Sequence, residues 1–332
     1  MPQPLAAGVA TGIGSLPHSD AGAAAALVLR CLPEMPSAPQ LPRRSSREHM
    51  IAQWAAGIPE VRVEADGSLT RVHSDLDQPI VVAFDPDAHG GLLAFLEVAA
   101  RQPTAPRRVK VQVTGPLTLG VALLDAGVPH RVAFTRGAQA ARAWALAVEQ
   151  LVVRHLPDTD LVLFFDEPSL VLWRDSDGPL EREDATDVLS GALAAPTCVT
   201  GVHVCGAGPV RIALDAGPDV VGVDVDAVAL EDAHGIARFL DGGGWIAWGA
   251  VPTDRPIGES SQALWRELVD LWCELSRRGC DAMRLRCQAI VTPACGLAGH
   301  GPSQAERAMT LARELGYRVM DQAAATKLTV GA

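Results

Sequence analysis

The residues with the clearest chemical potential are one histidine and two cysteines. His203 and Cys205 stand two positions apart at the end of a Val-rich stretch. In an extended strand, residues two apart point to the same face, so the imidazole and the thiol would lie side by side. Both groups are ligands that suit Zn2+, and Cys295, after a later strand, would supply a second thiolate. These three residues therefore indicate a zinc site, although a lone His-x-Cys sequence is often just buried structure.

A carboxylate would complete a tetrahedral set of zinc ligands, and two aspartates are candidates for that position. Asp224 and Asp226 end the next Val-rich stretch and share one face of it by the same alternation. The alternation places both carboxylates equally well, so the choice between them stays open.

Another carboxylate, Asp166, follows a strongly apolar stretch and begins the sequence Asp-Glu-Pro. A buried carboxylate is unfavourable unless a cation or hydrogen-bond donors meet it. Asp166 would therefore either hold a substrate ammonium group or belong to a structural ion pair. His18, His89 and His300 lie in predicted loops and are candidate acids or bases, although most loop histidines are simply solvated.

The predicted strands decide whether these side chains can meet. Short apolar stretches recur along the chain, and most are rich in Val and Ile, as expected for strands buried on both faces of a parallel sheet. The eight predicted strands cover residues 9–13, 39–41, 109–113, 161–165, 199–204, 220–225, 245–250 and 289–291, the second supported only by its place in the order. Predicted helices cover residues 21–31, 91–101, 135–155, 181–193, 209–216, 230–240, 261–278 and 303–315.

This alternation of strands and helices predicts an α/β fold. Eight units predict a single (β/α)8 TIM barrel over residues 1–332, a fold that needs about 250 residues as one domain. Residues 61–73 interrupt the alternation and have the pattern of a β-hairpin insertion, with Asp-Gly-Ser at its turn. A TIM barrel builds its active site at the C-terminal ends of its strands, which is where the candidate residues fall.

Composition excludes several classes of function. The net charge of −11 does not suit a general nucleic-acid binder, which needs clustered Lys and Arg. The N-terminal residues lack the pattern of a secretory signal, and no stretch of about 18 apolar residues predicts a membrane span. The seven cysteines show no disulfide framework, so we expect reduced thiols and a cytoplasmic protein.

Four motifs together resemble the catalytic barrel of cobalamin-independent methionine synthase. They are Thr-Gly-Ile-Gly-Ser-Leu-Pro-His at residues 11–18, the Asp-Glu-Pro at 166–168, the His-x-Cys at 203–205 and the Cys-Gly at 295–296. The resemblance runs in order from residue 11 to about residue 308. The wider superfamily includes uroporphyrinogen decarboxylase and corrinoid-dependent methyltransferases, and the zinc set separates the methyltransferases from the decarboxylase.

The resemblance implies a role for each matching position. The zinc ligands would be His203, Cys205, Asp224 and Cys295, with Asp224 standing where the family has the longer Glu. The substrate-binding residues would be the backbone of Ile13, Gly14 and Ser15 for the carboxylate of homocysteine, Asp166 for its amino group, and Gln40 as the nearest polar residue to a family acid that is missing here. Asp166, His203, Cys205 and Cys295 would thus form the catalytic set.

The resemblance implies a zinc-dependent methyl transfer to a thiol, with homocysteine as the expected acceptor and methionine as the product. The donor would be methylcobalamin, a corrinoid protein or methyltetrahydrofolate. Two departures weigh against the folate: the chain lacks room for the family's additional N-terminal barrel, and residues 251–254 lack the family's histidine. Two alternatives remain: a decarboxylase that uses Arg43, Arg44 and Arg47 to bind propionates, and a non-catalytic barrel that binds zinc or a corrinoid partner.

Overall fold

Six parallel strands form the sheet that carries the candidate residues. The computed structural model describes residues 5–73, 78–174, 178–258 and 260–330. Its strands are β1 (Val61–Val63), β2 (Leu69–Arg71), β3 (Arg108–Thr114), β4 (Asp160–Asp166), β5 (Val199–His203), β6 (Val220–Asp224), β7 (Trp245–Val251) and β8 (Ala289–Pro293). Strands β3 to β8 lie in sequence order, each parallel to its neighbour. The α/β prediction is confirmed, as a curled six-stranded parallel sheet.

The first two predicted strands are wrong as strands. Residues 9–13 and 39–41 form isolated bridges in place of continuous ladders. The physical reason lies in the residues that accompany them. Gly14 has a φ of 140°, which breaks an extended ladder, and Pro39 has no N–H to donate to a neighbouring strand. The closed eight-stranded barrel therefore stays a prediction.

Two bridging segments nevertheless occupy the space between β8 and β3. The first bridging segment, residues 8–16, bonds to β8 through Thr11 N and Val291 O at 3.0 Å. The second bridging segment, residues 36–40, bonds to the first through Gln40 N and the Gly14 carbonyl at 3.0 Å. It also bonds to β3, because its residue 38 donates to the Lys110 carbonyl. The two segments thus lie beside the two edge strands of the sheet, β8 and β3.

Helices cover the outer face of the sheet. They are α1 (Ala21–Cys31), α2 (Met50–Ala55), α3 (Pro86–Ala100), α4 (Pro116–Asp125), α5 (His130–His155), α6 (Arg182–Leu193), α7 (Val210–Asp215), α8 (Ala233–Asp241), α9 (Ser261–Arg277), α10 (Ala282–Cys287) and α11 (Pro302–Val330). The eight predicted helices are all present. Helices α2, α4 and α10, which have 6 to 10 residues, were not predicted.

Helices α3, α5 and α11 extend well beyond their predicted bounds, and local features accompany two of these differences. Helix α11 continues past Gly316, a residue type that usually ends helices. Here the glycine serves close packing instead, because a Cβ at this position would lie 2.2 Å from the carbonyl oxygen of Gly8. Helix α3 begins at Pro86, but its backbone departs from helical geometry at His89, just before the predicted start at residue 91.

The predicted hairpin insertion is confirmed. Strands β1 and β2 pair antiparallel, with Val61 opposite Arg71 and Val63 opposite Leu69. The Asp66 carboxylate accepts the Ser68 amide at 2.9 Å and stabilises the turn between them. No helix within the described residues has both the length and the apolar character to cross a membrane.

Candidate metal and substrate site

Two thiols that are 90 positions apart in the chain lie together at one end of the sheet. Cys205 comes just after β5, Cys295 comes just after β8, and their Sγ atoms are 2.9 Å apart. Both are free cysteines and half-buried, and the separation exceeds the roughly 2.05 Å of a disulfide bond. A hydrogen bond from Cys205, assisted by the nearby His203 imidazole, lowers the pKa of the Cys295 thiol. Proton sharing between the two sulfurs correspondingly raises the pKa of Cys205.

The His203 imidazole completes a group of three possible metal ligands. One ligand atom from each of His203, Cys205 and Cys295 lies within 4.8 Å of the other two. Across the described ranges, this is the one set of three or more His, Cys, Asp or Glu side chains spaced closely enough to hold a metal ion. The Nε2 atom of His203 is buried and has no hydrogen-bond partner in the described part of the chain. A buried ring nitrogen without a partner is unfavourable, and a bound cation would satisfy it.

The structure distinguishes the two candidate aspartates. Asp226 is exposed and its carboxylate binds Arg255 Nη1 at 2.9 Å, so it is already paired. Asp224 is half-buried at the end of β6, next to β5, and has no ion pair among the described residues. Burial raises the pKa of Asp224, and the charge of Cys295 adds to that rise. Asp224 lies outside the compact group of three, but of the two aspartates it is the one whose carboxylate has no ion pair among the described residues.

Two glycines, one on β5 and one on β6, lie close to the side chains of Phe164 and His203. A Cβ on Gly201 would come within 2.7 Å of the Phe164 ring, and a Cβ on Gly222 would come within 3.3 Å of His203 Nδ1. The two glycines therefore leave room for the Phe164 ring to fill the interior of the sheet. The Phe164 ring and the His203 imidazole thus both border the space that Gly222 leaves open.

Asp166 ends β4 and is paired in register with His203 on β5 and Thr114 on β3. Its Oδ1 atom is buried and lacks a hydrogen-bond partner, and no ion pair to Asp166 occurs in the described ranges. Burial raises the pKa of Asp166, and the charges of Lys110 and His203 oppose that rise. The sequence left two interpretations of Asp166, a group that binds a substrate ammonium and a member of a structural ion pair. This environment fits the first better than the second.

Glu167, the second residue of the Asp-Glu-Pro sequence, has a structural role that the motif did not reveal. Its fully buried carboxylate accepts the backbone amides of Leu117 and Thr118 at 2.8 Å, and the Thr118 hydroxyl at 2.6 Å. These groups begin helix α4, so the carboxylate satisfies amides that the helix cannot bond itself. Burial raises the pKa of Glu167 to about 7. Glu167 thus anchors α4 beside the strand that positions Asp166.

The first bridging segment borders the thiol pair. A Cβ on Gly296, next to Cys295, would lie 2.0 Å from the Ser15 hydroxyl, so the two residues are in direct contact. The Leu297 amide also donates to the Ser15 carbonyl at 2.8 Å. Ile13, Gly14 and Ser15 therefore lie at the same end of the sheet as the thiols.

Gln40 belongs to a buried amide pair. Its side-chain nitrogen donates to the side-chain oxygen Oε1 of Gln53 at 3.3 Å, and both residues are almost completely buried. Gln53 lies on helix α2, which was not predicted, so sequence reasoning missed this partner. A single polar residue on the apolar face of a short helix is the only signal that would have indicated it.

The candidate histidines have different environments. His89, predicted to lie in a loop, is fully buried within α3 and packs against Trp54, Phe84 and Trp144. Burial lowers its pKa to about 4, so it is a neutral core residue. His300 has its Nε2 atom 3.0 Å from the Thr253 carbonyl.

His18 is half-buried, and burial lowers its pKa. Of the candidate histidines, His18 and His300 are therefore the two that are only half-buried.

Two of the three arginines considered for a decarboxylase already contact carboxylates of the protein. Arg44 lies 3.4 Å from the buried Glu48 carboxylate, and Arg47 lies 3.3 Å from Asp85. Only Arg43 of the three is exposed without an ion pair among the described residues. A site for several propionates needs several uncommitted cations, so this arrangement does not favour that alternative.

Comparison with known proteins gives matches among solved structures only. The sequence matches no family model and no curated protein. The structure is similar to that of a vitamin-B12-independent methionine synthase from Listeria monocytogenes, an assignment that is itself provisional for that protein. The sequences are 14% identical, the TM-score is 0.59, and the match covers 96% of this chain and 99% of the other. At this identity the likeness establishes the fold alone, and the chain accordingly has a methionine-synthase-like fold.

Proposed function

We propose that the chain is a zinc-dependent methyltransferase that methylates a small thiol, with homocysteine as the acceptor and methionine as the product. The observation that carries the proposal is the pair of sulfurs 2.9 Å apart beside a buried imidazole nitrogen that lacks a partner. Two thiolates and an imidazole form a donor set typical of zinc. His203, Cys205 and Cys295 would hold the ion, with Asp224 as the fourth ligand.

When bound, zinc would act as a Lewis acid that keeps a coordinated thiol deprotonated at neutral pH. The remaining tasks fall to the protein's own groups. Asp166, with its buried and unpartnered oxygen, would bind the acceptor's ammonium group. The backbone of Ile13, Gly14 and Ser15 would bind its carboxylate, with Gln40 close by. Holding the acceptor at two points fixes its sulfur relative to the incoming methyl group, as in-line transfer requires.

The same proposal covers the number of strands in the barrel, the methyl donor and the location of the protein. The two bridging segments would act as reduced first and second strands of one eight-stranded barrel that forms a single domain. A methylated corrinoid, free or carried by a partner protein, is the favoured donor, with methyltetrahydrofolate as the other. We expect the protein to act in the cytoplasm, where thiols stay reduced.

The direct test is an assay of the purified, zinc-loaded protein with homocysteine. Methylcobalamin and methyltetrahydrofolate are supplied in parallel, and methionine is measured by mass spectrometry. We expect methionine from at least one donor, in multiple turnovers and only when zinc is present. The same protein treated with a zinc chelator is the control. No methionine from either donor, with zinc bound at one equivalent, would count against the proposal.

A further inference from the structure

A buried lysine lies inside the sheet, close to the first bridging segment. Lys110 is central in β3 and only 1% exposed, although a lysine ammonium is among the costliest groups to bury. The ammonium donates to the carbonyl oxygen of Ile13, lies 3.4 Å from Gln112 Oε1, and sits 4.9 Å from the centre of the Phe164 ring. None of the roles assigned above uses this residue.

Lys110 contacts both bridging segments at once. Its backbone exchanges hydrogen bonds with the second segment, donating to the Pro36 carbonyl at 2.9 Å and accepting from the Ala38 amide at 2.8 Å. Its side chain reaches past that segment to the Ile13 carbonyl of the first. The lysine therefore links β3 to both segments at the place where the sheet has only isolated bridges.

The neighbouring Gln112 strengthens the same connection. Its amide nitrogen donates to the Ala38 carbonyl at 3.0 Å, and its side chain packs directly on Gly14. A Cβ on Gly14 would lie 2.1 Å from that nitrogen, so only glycine fits there, and the φ of 140° is also one that glycine tolerates. Lys110 and Gln112 thus define the backbone path through Ile13 and Gly14 from the inside of the sheet.

A lysine suits position 110 better than an arginine would. Lys110 is one of two lysines among 28 basic residues, the rest being arginines. A compact ammonium can reach one carbonyl within a filled interior, whereas a planar guanidinium needs more space and more acceptors. Burial lowers the pKa of Lys110 to about 8, and the charge of Asp166 opposes that fall. The group therefore still carries its charge near neutral pH.

We propose that Lys110 is a positioning residue: by holding the Ile13 carbonyl, it fixes the Ile13-Gly14-Ser15 backbone in the geometry that binds the acceptor's carboxylate. This inference rests on the proposed function for that carboxylate. Since Ser15 contacts Gly296 beside Cys295, the same link also keeps the acceptor subsite at a constant distance from the thiol pair.

The test compares Lys110→Met with Lys327→Met, which removes the exposed lysine near the end of α11. For Lys110→Met we expect the KM for homocysteine to rise about tenfold while kcat changes less than about threefold, because the backbone that binds the acceptor's carboxylate is no longer held in place while the reacting groups are unchanged. An acceptor analogue without the carboxylate should be methylated as well by Lys110→Met as by the wild type. Zinc content should be equal in all three proteins.

A second measurement does not depend on activity. Hydrogen–deuterium exchange of the amides in residues 8–16 should be faster in Lys110→Met, with exchange in β4 to β6 unchanged, and Lys327→Met should match the wild type. If Lys110→Met does not fold, Lys110→Gln, which shortens the donor and removes its charge, is used with the same expectations. Unchanged exchange in residues 8–16, or an equal loss with both acceptors, would overturn the inference. If the wild type methylates no thiol, the proposed function fails and the exchange experiment alone decides the role of Lys110.

Discussion

Replacing either candidate thiol ligand by serine is expected to abolish stoichiometric zinc binding and, with it, methyl transfer. Cys205→Ser and Cys295→Ser each remove one of two sulfurs that lie 2.9 Å apart. A serine hydroxyl is a harder and far less acidic ligand than a thiol, so it does not replace a thiolate on zinc. Since changes to groups that merely orient ligands already cost about 10–100-fold in metal affinity, loss of a ligand itself should cost at least about a hundredfold.

The chain offers a matched control for these variants. Cys273 is an exposed free cysteine on helix α9, so Cys273→Ser makes the same chemical change away from the site. Zinc content is measured by elemental analysis after dialysis, and folding is checked by circular dichroism. We expect about one zinc per chain in the wild type and in Cys273→Ser. Retention of full zinc and activity in both Cys205→Ser and Cys295→Ser would contradict the assignment of these ligands.

Asp166→Asn is expected to weaken use of homocysteine by about 10- to 100-fold in kcat/KM, the range for losing a hydrogen bond to a charged group. The carboxylate has a buried oxygen without a partner, and Asp166 is paired in register with His203 on the neighbouring strand. An amide of the same shape cannot balance that charge. Zinc content should not change, since Asp166 is not among the proposed ligands.

The acceptor itself provides the control for this second prediction. A homocysteine analogue without its amino group should be used equally well by Asp166→Asn and by the wild type. An equal loss with both acceptors would show that Asp166 acts on the reaction or the fold in some other way than through the ammonium group. Methionine formation, or the corresponding thioether, is measured at several acceptor concentrations to separate KM from kcat.

Much of the sheet could be predicted from sequence because burial on both faces leaves continuous apolar stretches. Strands β3 to β8 all correspond to predicted strands. The first two predicted strands fail where glycine and proline interrupt the hydrogen-bond ladder, as at Gly14 and Pro39. Strand propensity alone could not show that these segments would still bond to each other and to the two edge strands, β3 and β8. Those partners are distant in sequence.

The candidate site was partly predictable for a similar reason. The two-residue period placed His203 and Cys205 on one face, but the proximity of Cys295 depends on how far the sheet curls. The choice between Asp224 and Asp226 depends on Arg255, which comes from the loop after β7 and pairs with only one of them. Local patterns do not contain such long-range partners.

Lys110 illustrates a signal that was present in the sequence but not used. Strand β3 reads Arg-Val-Lys-Val-Gln-Val-Thr, so every second residue is polar while the whole strand is buried. Alternation of this kind usually indicates a strand with one face in water. In a fully buried strand it instead indicates a polar interior, which is where Lys110 and Gln112 lie.

X-ray absorption at the zinc edge of the purified protein tests the central claim most directly. The account predicts two sulfur neighbours at about 2.3 Å with nitrogen or oxygen completing the shell, and three sulfur neighbours after homocysteine is added. A zinc shell of nitrogen and oxygen only, or one whose sulfur count does not change with saturating homocysteine, would contradict it.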